Sequence, residues 1–331
     1  MQASNNQVLQ GRGRKLFRIV PLELNTHFAE GTVNAFLAIG DSVTLIDTGN
    51  PGKQSYQQLN SKLHTHGVTL KDIDQIVLTH IHIDQAGAIP YLQEETDLPI
   101  YVHAQAKGSI NAGIEEYERV QSFFHQFLTS CGADPFHHIV ERPFNKEKWR
   151  NITYISDGDV ILLGGKEFQV VHVPGHSQSD ILLWNQNTGD TFAGDHLLKA
   201  FSVNAFIEPP DPGEDNRPRP LLQYRNSLGK VRLLPLEMIY PGHGEAFSNH
   251  VSLIKTRLLE QEKRCEQILE ILADGEKCIY EICRKMYPRL HGKTVFLGLS
   301  QIQGHLDLLE EREQVRFEEQ DSLVIYRSTQ K

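Results

Sequence analysis

Four apolar stretches of this 331-residue chain each run directly into a loop that carries histidine or aspartate. The loops are His80-x-His82-x-Asp84, Pro174-Gly175-His176, Gly194-Asp195 and Pro241-Gly242-His243-Gly244. Short apolar runs that are bounded by turn residues and alternate with helical stretches predict an α/β fold. Because loops at strand ends can meet along one edge of a sheet, we expect these side chains to converge there.

The spacing of His80 and His82 suits a metal ion. On an extended segment, side chains two residues apart share a face, so both imidazoles point the same way. With His176 they make a set of three histidines, which leaves a fourth tetrahedral position for water, as in catalytic zinc sites. A lone His-x-His pair is more often an ordinary strand feature, and only its conjunction with the other loops favours a metal site.

Three further residues are placed for a second ion. Asp84 continues the face of the two histidines, His243 approaches from another loop, and Asp195 offers a carboxylate that can bridge two cations. The plainer alternatives are a turn for the glycine-flanked His243 and a helix N-cap for Asp195. Two adjacent ions would hold a hydroxide between them and lower the pKa of water towards neutrality.

Together these motifs resemble those of the metallo-β-lactamase fold hydrolases. The residues that carry the resemblance are Thr79-His80-Ile81-His82-Ile83-Asp84-Gln85, His176, Asp195, His243 and, after a predicted hairpin around Gly40-Asp41, Asp47-Thr48-Gly49. The resemblance covers roughly residues 15–250. It implies an αββα sandwich with the active site along one sheet edge, and a pair of metal positions that share Asp195.

Gln85 departs from the pattern of that family, which usually has histidine after the motif aspartate. A glutamine oxygen is a neutral, hard donor and is poorer for zinc than imidazole. We therefore expect a weakened second site, in which Gln85 is either a weak ligand or a hydrogen-bond partner of Asp84. A degenerate, inactive homologue is the alternative, but the remaining donors are all present and favour an active hydrolase.

The composition changes after about Asn249, which predicts a catalytic domain over residues 1–249 and a second domain over residues 250–331. The first contains a helical insertion at about 104–150. The second shows three helical patterns and then a hairpin, an order that resembles a winged helix. This resembles a branch of the family that contains small-substrate hydrolases and endoribonucleases. The helix expected to be the recognition helix, Thr294–Glu311, has no lysine or arginine, so nucleic acid is not the expected partner.

The overall composition narrows the class of protein. A formal net charge of −9 and a pI near 6.0 argue against polyanionic partners. Four cysteines without a Cys-x-x-Cys pair fit the reduced cytoplasm. No apolar run is long enough to predict a membrane span, and residues 1–15 show no pattern of a secretory signal.

Other side chains near these motifs have two interpretations each. His103 and His172 are expected to be structural, and His196 either orients the neighbouring aspartate or is structural as well. Arg217 and Arg219 are expected in a solvated loop, with contact to an anionic substrate group as the alternative. Three aromatic residues at helical spacing are expected to pack against the sheet domain or else to line a substrate pocket: Phe123, Phe124 and Phe127.

The predicted function is metal-dependent hydrolysis of an ester-type bond in a small molecule, meaning a thioester, a lactone or a related acyl compound. Metal-bound hydroxide would attack the acyl carbon, and Asp84 would orient the nucleophile or move a proton. Zinc is the expected ion, one or two per chain, with manganese or iron as alternatives. An RNA phosphodiesterase or endoribonuclease, a mononuclear iron enzyme like the persulfide dioxygenases and a non-catalytic binding module remain as rival predictions.

Overall fold

The computed structural model of the protein describes residues 16–26, 31–138 and 148–329. The segment 1–15, in which no secretory signal is predicted, lies outside the described residues, as does the part of the predicted helical insertion at 139–147. The described residues contain three β-sheets and ten α-helices, joined by loops and short 3-10 turns. None of the helices among those residues combines the length and the apolar character needed to cross a membrane.

The first sheet has six strands that lie in sequence order. They are β1 (Arg18–Asn25), β2 (Thr32–Ile39), β3 (Val43–Ile46), β4 (Gln75–Val77), β5 (Ile100–His103) and β6 (Ile152–Ile155). The pairs β1–β2 and β2–β3 are antiparallel, which confirms the hairpin predicted around Gly40-Asp41, and the remaining pairs are parallel. The parallel half brings the carboxyl end of β4, where His80 and His82 follow, to one edge of the sheet.

The second sheet has five strands in the order β11-β10-β9-β8-β7. They are β7 (Val160–Leu163), β8 (Lys166–His172), β9 (Ile181–Trp184), β10 (Thr191–Gly194) and β11 (Ile239–Pro241). All neighbours are antiparallel except β10 and β11. His176 follows β8, Asp195 follows β10 and His243 follows β11, so this sheet supplies the other half of the polar edge.

The two sheets pack face to face, and helices cover their outer faces. Residues alternate across β2: Phe36 and Ala38 lie between the sheets, whereas Leu37 and Ile39 face the helical layer. The helices of the catalytic region are α1 (Lys53–Thr65), α2 (Ile83–Ala86), α3 (Ile89–Glu95), α4 (Lys107–Ile110), α5 (Ile114–Ser130), α6 (Pro135–His138) and α7 (Pro220–Val231). Apolar residues of α1 and α3 cover the first sheet, and those of α5 and α7 cover the second. The predicted αββα sandwich is confirmed.

The C-terminal region begins with α8 (His250–Ala273). It continues through β12 (Lys277–Cys278), α9 (Ile279–Met286), α10 (Thr294–Glu311), β13 (Val315–Gln320) and β14 (Leu323–Ser328). The order of helices and hairpin is the predicted one, with β12 added as a third strand beside β14. The classification of this region as a winged helix remains a prediction.

The helices on both sides of residue 250 share one apolar cluster. The rings of Phe124 and Phe127, on α5, pack edge-on against Phe296 of α10, with ring centroids 5.4 and 6.0 Å apart. The expected partner of this aromatic stripe was the sheet domain. Phe124 and Phe127 do share an apolar cluster with residues of the second sheet such as Leu182, and their rings also meet the C-terminal region at Phe296. The division into two domains at 249/250 remains a prediction.

Candidate metal centre

The first donor group consists of the three histidines His80, His82 and His176. One ring nitrogen of each can be chosen so that all three lie within 4.8 Å of one another. The ring centroids are 4.5 to 5.1 Å apart, and His82 Nδ1 lies 2.8 Å from His176 Nε2. His80 and His82 are presented by the extended segment between β4 and α2, as their spacing predicts.

The second donor group consists of Asp84, Asp195 and His243, whose donor atoms also lie within 4.8 Å of one another. His243 Nε2 lies 3.3 Å from Asp84 Oδ2 and 3.4 Å from Asp195 Oδ2. The same Asp195 oxygen lies 3.4 Å from His176 Nε2 in the first group. Asp195 therefore stands between the two groups, in the place predicted for a bridging carboxylate.

Main-chain carbonyl groups orient two of the imidazoles. His176 Nδ1 lies 2.8 Å from the carbonyl oxygen of Asn204, and His243 Nδ1 lies 2.8 Å from that of Thr32. A carbonyl oxygen can only accept, so both Nδ1 atoms carry a proton and both Nε2 atoms face the donor groups. This is how proteins commonly fix a metal-binding histidine.

His80 is oriented through Thr79 and Asp47. Its Nδ1 lies 3.3 Å from Thr79 Oγ1, and that hydroxyl donates to Asp47 Oδ2 at 2.7 Å. Burial raises the pKa of Asp47 to about 8, although the hydrogen bonds from Thr79 oppose the shift, and a cation beside His80 would lower it again. With Asp47 ionised, Thr79 accepts from His80 Nδ1–H and the His80 lone pair lies on Nε2. That nitrogen is buried and has no hydrogen-bond partner among the described residues.

The two groups differ in their protonation. Burial lowers the pKa of His80 to about 4, so this imidazole is neutral at pH 7. Burial also disfavours the charge on His243, but its hydrogen bonds to Asp195 and Asp84 outweigh that effect and raise the pKa to about 10. Burial would raise the pKa of Asp195, yet the contact with His243 and the nearby histidines hold it well below its usual range.

Gln85 is fully buried against the second group. Its Nε2 donates to Asp195 Oδ1 at 3.4 Å, while its Oε1 has no partner among the described residues. The main-chain oxygen of Gln85 accepts from both the N–H and the hydroxyl of Thr48, at 2.7 and 3.0 Å. A Cβ atom at Gly242 would lie 2.3 Å from Asp195 Oδ1 and 2.7 Å from Gln85 Nε2, so only glycine fits beside them. Gln85 thus contacts Asp195, whereas the predicted partner was Asp84.

These observations fit a metal centre. Three imidazoles and a buried, ionised carboxylate are donors that zinc and similar divalent ions take in proteins. The orphaned, buried Nε2 of His80 would cost free energy if no partner bound it. Beside the second group, Gln85 presents an amide nitrogen to the Asp195 carboxylate, where the expectation of a weakened second site stays a prediction.

The other side chains singled out in the sequence lie outside the two donor groups. His103 stacks on His172 with ring centroids 3.9 Å apart, and His172 Nε2 contacts the carbonyl of Gln178. The ring of His196 packs against Tyr224 at 5.2 Å, and neither of its nitrogens has a hydrogen-bond partner among the described residues. His196 therefore does not orient the Asp195 carboxylate.

Arg217 and Arg219 are bound to acidic residues of α10. Arg217 forms a two-pronged pair with Asp307 at 2.6 and 2.9 Å, and Arg219 contacts Glu310 and Glu311 at 2.9 and 3.3 Å. The expectation of a simply solvated loop is wrong for Arg217, whose side chain is 24% exposed. Its charge is matched within the protein, which also argues against a role in binding a substrate anion.

Several residues beside the donor groups were not found from the sequence. Asn204 orients His176, and the ring of Phe206 lies 5.3 Å from the rings of both His82 and His176. Asp180 Oδ1 lies 3.9 Å from His80 Nδ1. Asp180 follows the His176 loop immediately before β9, and its position in a polar run ahead of an apolar strand was a usable signal. The loop around residue 204 has no periodic sequence pattern, so no sequence signal pointed to Asn204 or Phe206.

Comparisons with known proteins agree with this geometry. The profile of the family described as "Metallo-beta-lactamase superfamily" matches residues 29–243. The chain is 30% identical over 302 residues to the probable metallo-hydrolase YqjP of Bacillus subtilis (strain 168), covering 90% of this chain and 93% of that protein. It is 24% identical over 248 residues to the atrochrysone carboxyl ACP thioesterase of Aspergillus fumigatus, covering 75% of this chain and 62% of that one. Its fold is similar to the crystal structure of a metallo-beta-lactamase family protein from Thermus thermophilus, with a TM-score of 0.78, 21% identity and coverage of 94% and 98%.

Proposed function

We propose a substrate class for this chain, which belongs to the metallo-β-lactamase superfamily and is a metallo-hydrolase of that superfamily. In this proposal the protein cleaves an ester-type bond of an acyl compound. The bond is a thioester, a lactone or a related acyl ester. The observation that carries the proposal is the position of Asp195, whose Oδ2 lies 3.4 Å from His176 of one donor group and from His243 of the other. A divalent ion bound there supplies a Lewis acid for a carbonyl oxygen and a water of lowered pKa.

The first group, with Asp195, would hold the tighter ion, and Asp84 with His243 and Asp195 would hold a weaker one. Three imidazoles suit zinc, so zinc is the proposed ion, and elemental analysis would distinguish it from manganese or iron. Gln85 can contribute its oxygen only if the amide turns over and gives up the contact with Asp195. We therefore propose one firmly held ion and a second whose occupancy depends on the supply of metal.

Asp84 is the proposed proton acceptor for the attacking water. Its side chain is 13% exposed, compared with 6% for Asp195 and 3% for His243, so it connects the second group to solvent. A carboxylate in hydrogen-bond reach of the nucleophile can take its proton and pass it outward. The contact with His243 holds this carboxylate in place beside the donor groups.

The walls of the centre favour an uncharged acyl group over a phosphodiester. Phe206 packs on two of the imidazoles, and the ring centroid of Phe201 lies 5.8 Å from that of His243. Helix α10 carries no lysine or arginine, and most of its residues are buried, so it cannot enter a nucleic-acid groove. The thioesterase named among the relatives supports an acyl substrate, and the charges of Arg217 and Arg219 are paired with acidic residues of α10.

A panel of model substrates tests this function. We expect hydrolysis of p-nitrophenyl esters, of acyl-coenzyme A thioesters or of a lactone, lost when EDTA removes the metal and restored by Zn²⁺. Bis(p-nitrophenyl) phosphate and a single-stranded RNA should not be cleaved. Cleavage of the phosphodiesters without any acyl hydrolysis would contradict the proposal, as would thiol-dependent oxygen uptake by an iron-containing protein.

We also infer that the protein works in a reducing compartment, with the cytoplasm as the proposed location. All four cysteines carry free thiols that are buried in the apolar core. Burial raises the pKa of the Cys265 and Cys283 thiols to about 11, which keeps them as unreactive thiols at neutral pH. Quantifying thiols in the unfolded protein tests this inference, and a disulfide in protein isolated with thiols blocked would contradict it.

A further inference from the structure

The loop after β10 contacts both donor groups. This loop, residues 198–207, is called the collar loop below. The Asn204 carbonyl accepts from His176 Nδ1 at 2.8 Å, and Phe206 packs on the rings of His82 and His176. Phe201 packs on His243 of the second group. The position of the collar loop therefore decides how His176 is oriented and what surrounds the centre.

The collar loop does not hold itself in place. It contains no helix or strand, and among the described residues no main-chain to main-chain hydrogen bond joins it to the rest of the molecule. Buried main-chain groups nonetheless need partners. The partners of this loop are side chains from the C-terminal region, which lie 56 to 95 residues further along the chain.

Arg257, on α8, binds main-chain carbonyl groups at the beginning of the loop. Its Nη2 donates to the carbonyl oxygens of Leu198, Lys199 and Phe201 at 3.0, 3.0 and 2.9 Å. The side chain is buried, and Nη1 is paired with Glu260 at 2.9 Å. A guanidinium offers several donors in a fixed fork, which a lysine ammonium cannot reproduce. Arg257 thus fixes the segment that carries Phe201.

Ser300, on α10, holds the end of the loop on both sides of Phe206. Its Oγ accepts from the Ile207 N–H at 2.8 Å and donates to the Ala205 carbonyl at 3.3 Å. The hydroxyl is buried, and the Asn204 side chain adds a bond from Nδ2 to the Leu297 carbonyl of the same helix at 3.1 Å. Asn204, which orients His176, is therefore held on α10 by its own side chain and by the bond from Ser300 to the adjacent Ala205.

We propose that Arg257 and Ser300 are positioning residues of the metal centre, which act by fastening the collar loop so that Asn204 fixes the His176 imidazole. The C-terminal region then contributes to metal binding without supplying a ligand. The inference rests on the proposed role of His176 as a metal ligand and not on the identity of the substrate. Outer partners of metal-binding histidines typically change metal affinity by about 10- to 100-fold when they are lost.

The test is the affinity of the full chain for Zn²⁺, measured after EDTA stripping by competition with a chromophoric chelator. The variants are Ser300→Ala and Arg257→Lys, and thermal unfolding of the stripped proteins is followed in parallel. The matched control is Arg312→Gln, which breaks a two-pronged pair with Glu262 at 2.7 and 2.8 Å in the same C-terminal region, away from the collar loop.

We expect both collar variants to bind the tighter zinc ion about 10-fold more weakly or worse, while Arg312→Gln keeps the wild-type affinity whatever its melting temperature. Unchanged affinity in the collar variants would overturn the inference and leave the proposed function standing. Equal weakening in all three variants, in proportion to lost stability, would also overturn it. If Ser300→Ala does not fold, Arg257→Lys decides by the same criterion. Absence of zinc binding by the wild-type protein would overturn both this inference and the proposed function.

Discussion

The two donor groups lie side by side but are prepared for a metal ion to different degrees. The three histidines of the first group include His80, which is neutral at pH 7, and His176, whose Nδ1–H donates a hydrogen bond to the Asn204 carbonyl. The second group has two carboxylates that hold a proton on His243, whose pKa is raised to about 10. We therefore expect a metal ion to bind the first group without displacing a proton from His80, and to displace one from His243 in the second.

Gln85 adds to this difference. It is buried beside the second group and donates to Asp195, so it occupies one acceptor oxygen of the carboxylate that both groups share. A histidine at that position would present a ring nitrogen lone pair instead of an amide N–H. We therefore expect Gln85 to weaken metal binding at the second group and to leave the three histidines of the first group unaffected, because its side-chain contact is with Asp195.

The largest expected effect is that of His80→Ala. The change removes the buried Nε2 that has no other partner, so we expect the firmly held ion to be lost and kcat/KM for an acyl substrate to fall by about 10³-fold or more. Metal content and hydrolysis are measured together. His103→Ala, which removes a buried histidine stacked on His172 outside the donor groups, serves as the control and should keep its metal. Full metal content in His80→Ala would show that the first group is not the main site.

A smaller effect is expected for Asp84→Asn. The amide keeps the shape of the side chain but cannot accept a proton from water, so kcat should fall by about 10²-fold while the ion of the first group stays. Loss of all bound metal would mean that the two groups bind metal as one cooperative unit, which would contradict their separate affinities.

The smallest effect is on the pH dependence of metal binding. Because His243 must lose its proton, the affinity of the second ion should rise by about 10-fold per pH unit below pH 10, whereas binding to His80 should add no such slope above pH 4. Zinc titration calorimetry in two buffers of different ionisation enthalpy measures the protons released with each ion. Equal proton release for both ions would contradict the difference in protonation.

Much of the centre could be predicted from the sequence, because each donor follows a strand. Strand ends can be recognised locally, and strands that share a sheet edge bring their following loops together. That reasoning placed His80, His82 and Asp84 on one segment and brought His176, Asp195 and His243 to the same edge, where the structure has them. The assignment of these residues as metal ligands remains a prediction until metal is measured.

The contacts that fasten the centre could not be predicted in this way. The collar loop has no periodic pattern, and its partners Arg257 and Ser300 are far along the chain. The same reason explains the error at Arg217, whose partner Asp307 lies 90 residues away. A helical stripe such as that of Phe124 shows that a face is buried, but the sequence does not name the surface that covers it.

The metal content of the wild-type chain and of Gln85→His tests the proposed metal centre most directly. Both proteins are purified without chelator, dialysed against metal-free buffer and measured by elemental analysis. We expect about one tightly held zinc ion per wild-type chain and about two in Gln85→His, because an imidazole would complete the second group. Two firmly held ions in the wild-type chain would contradict the proposed weakening by Gln85, and the absence of bound metal from both proteins would contradict the metal centre itself.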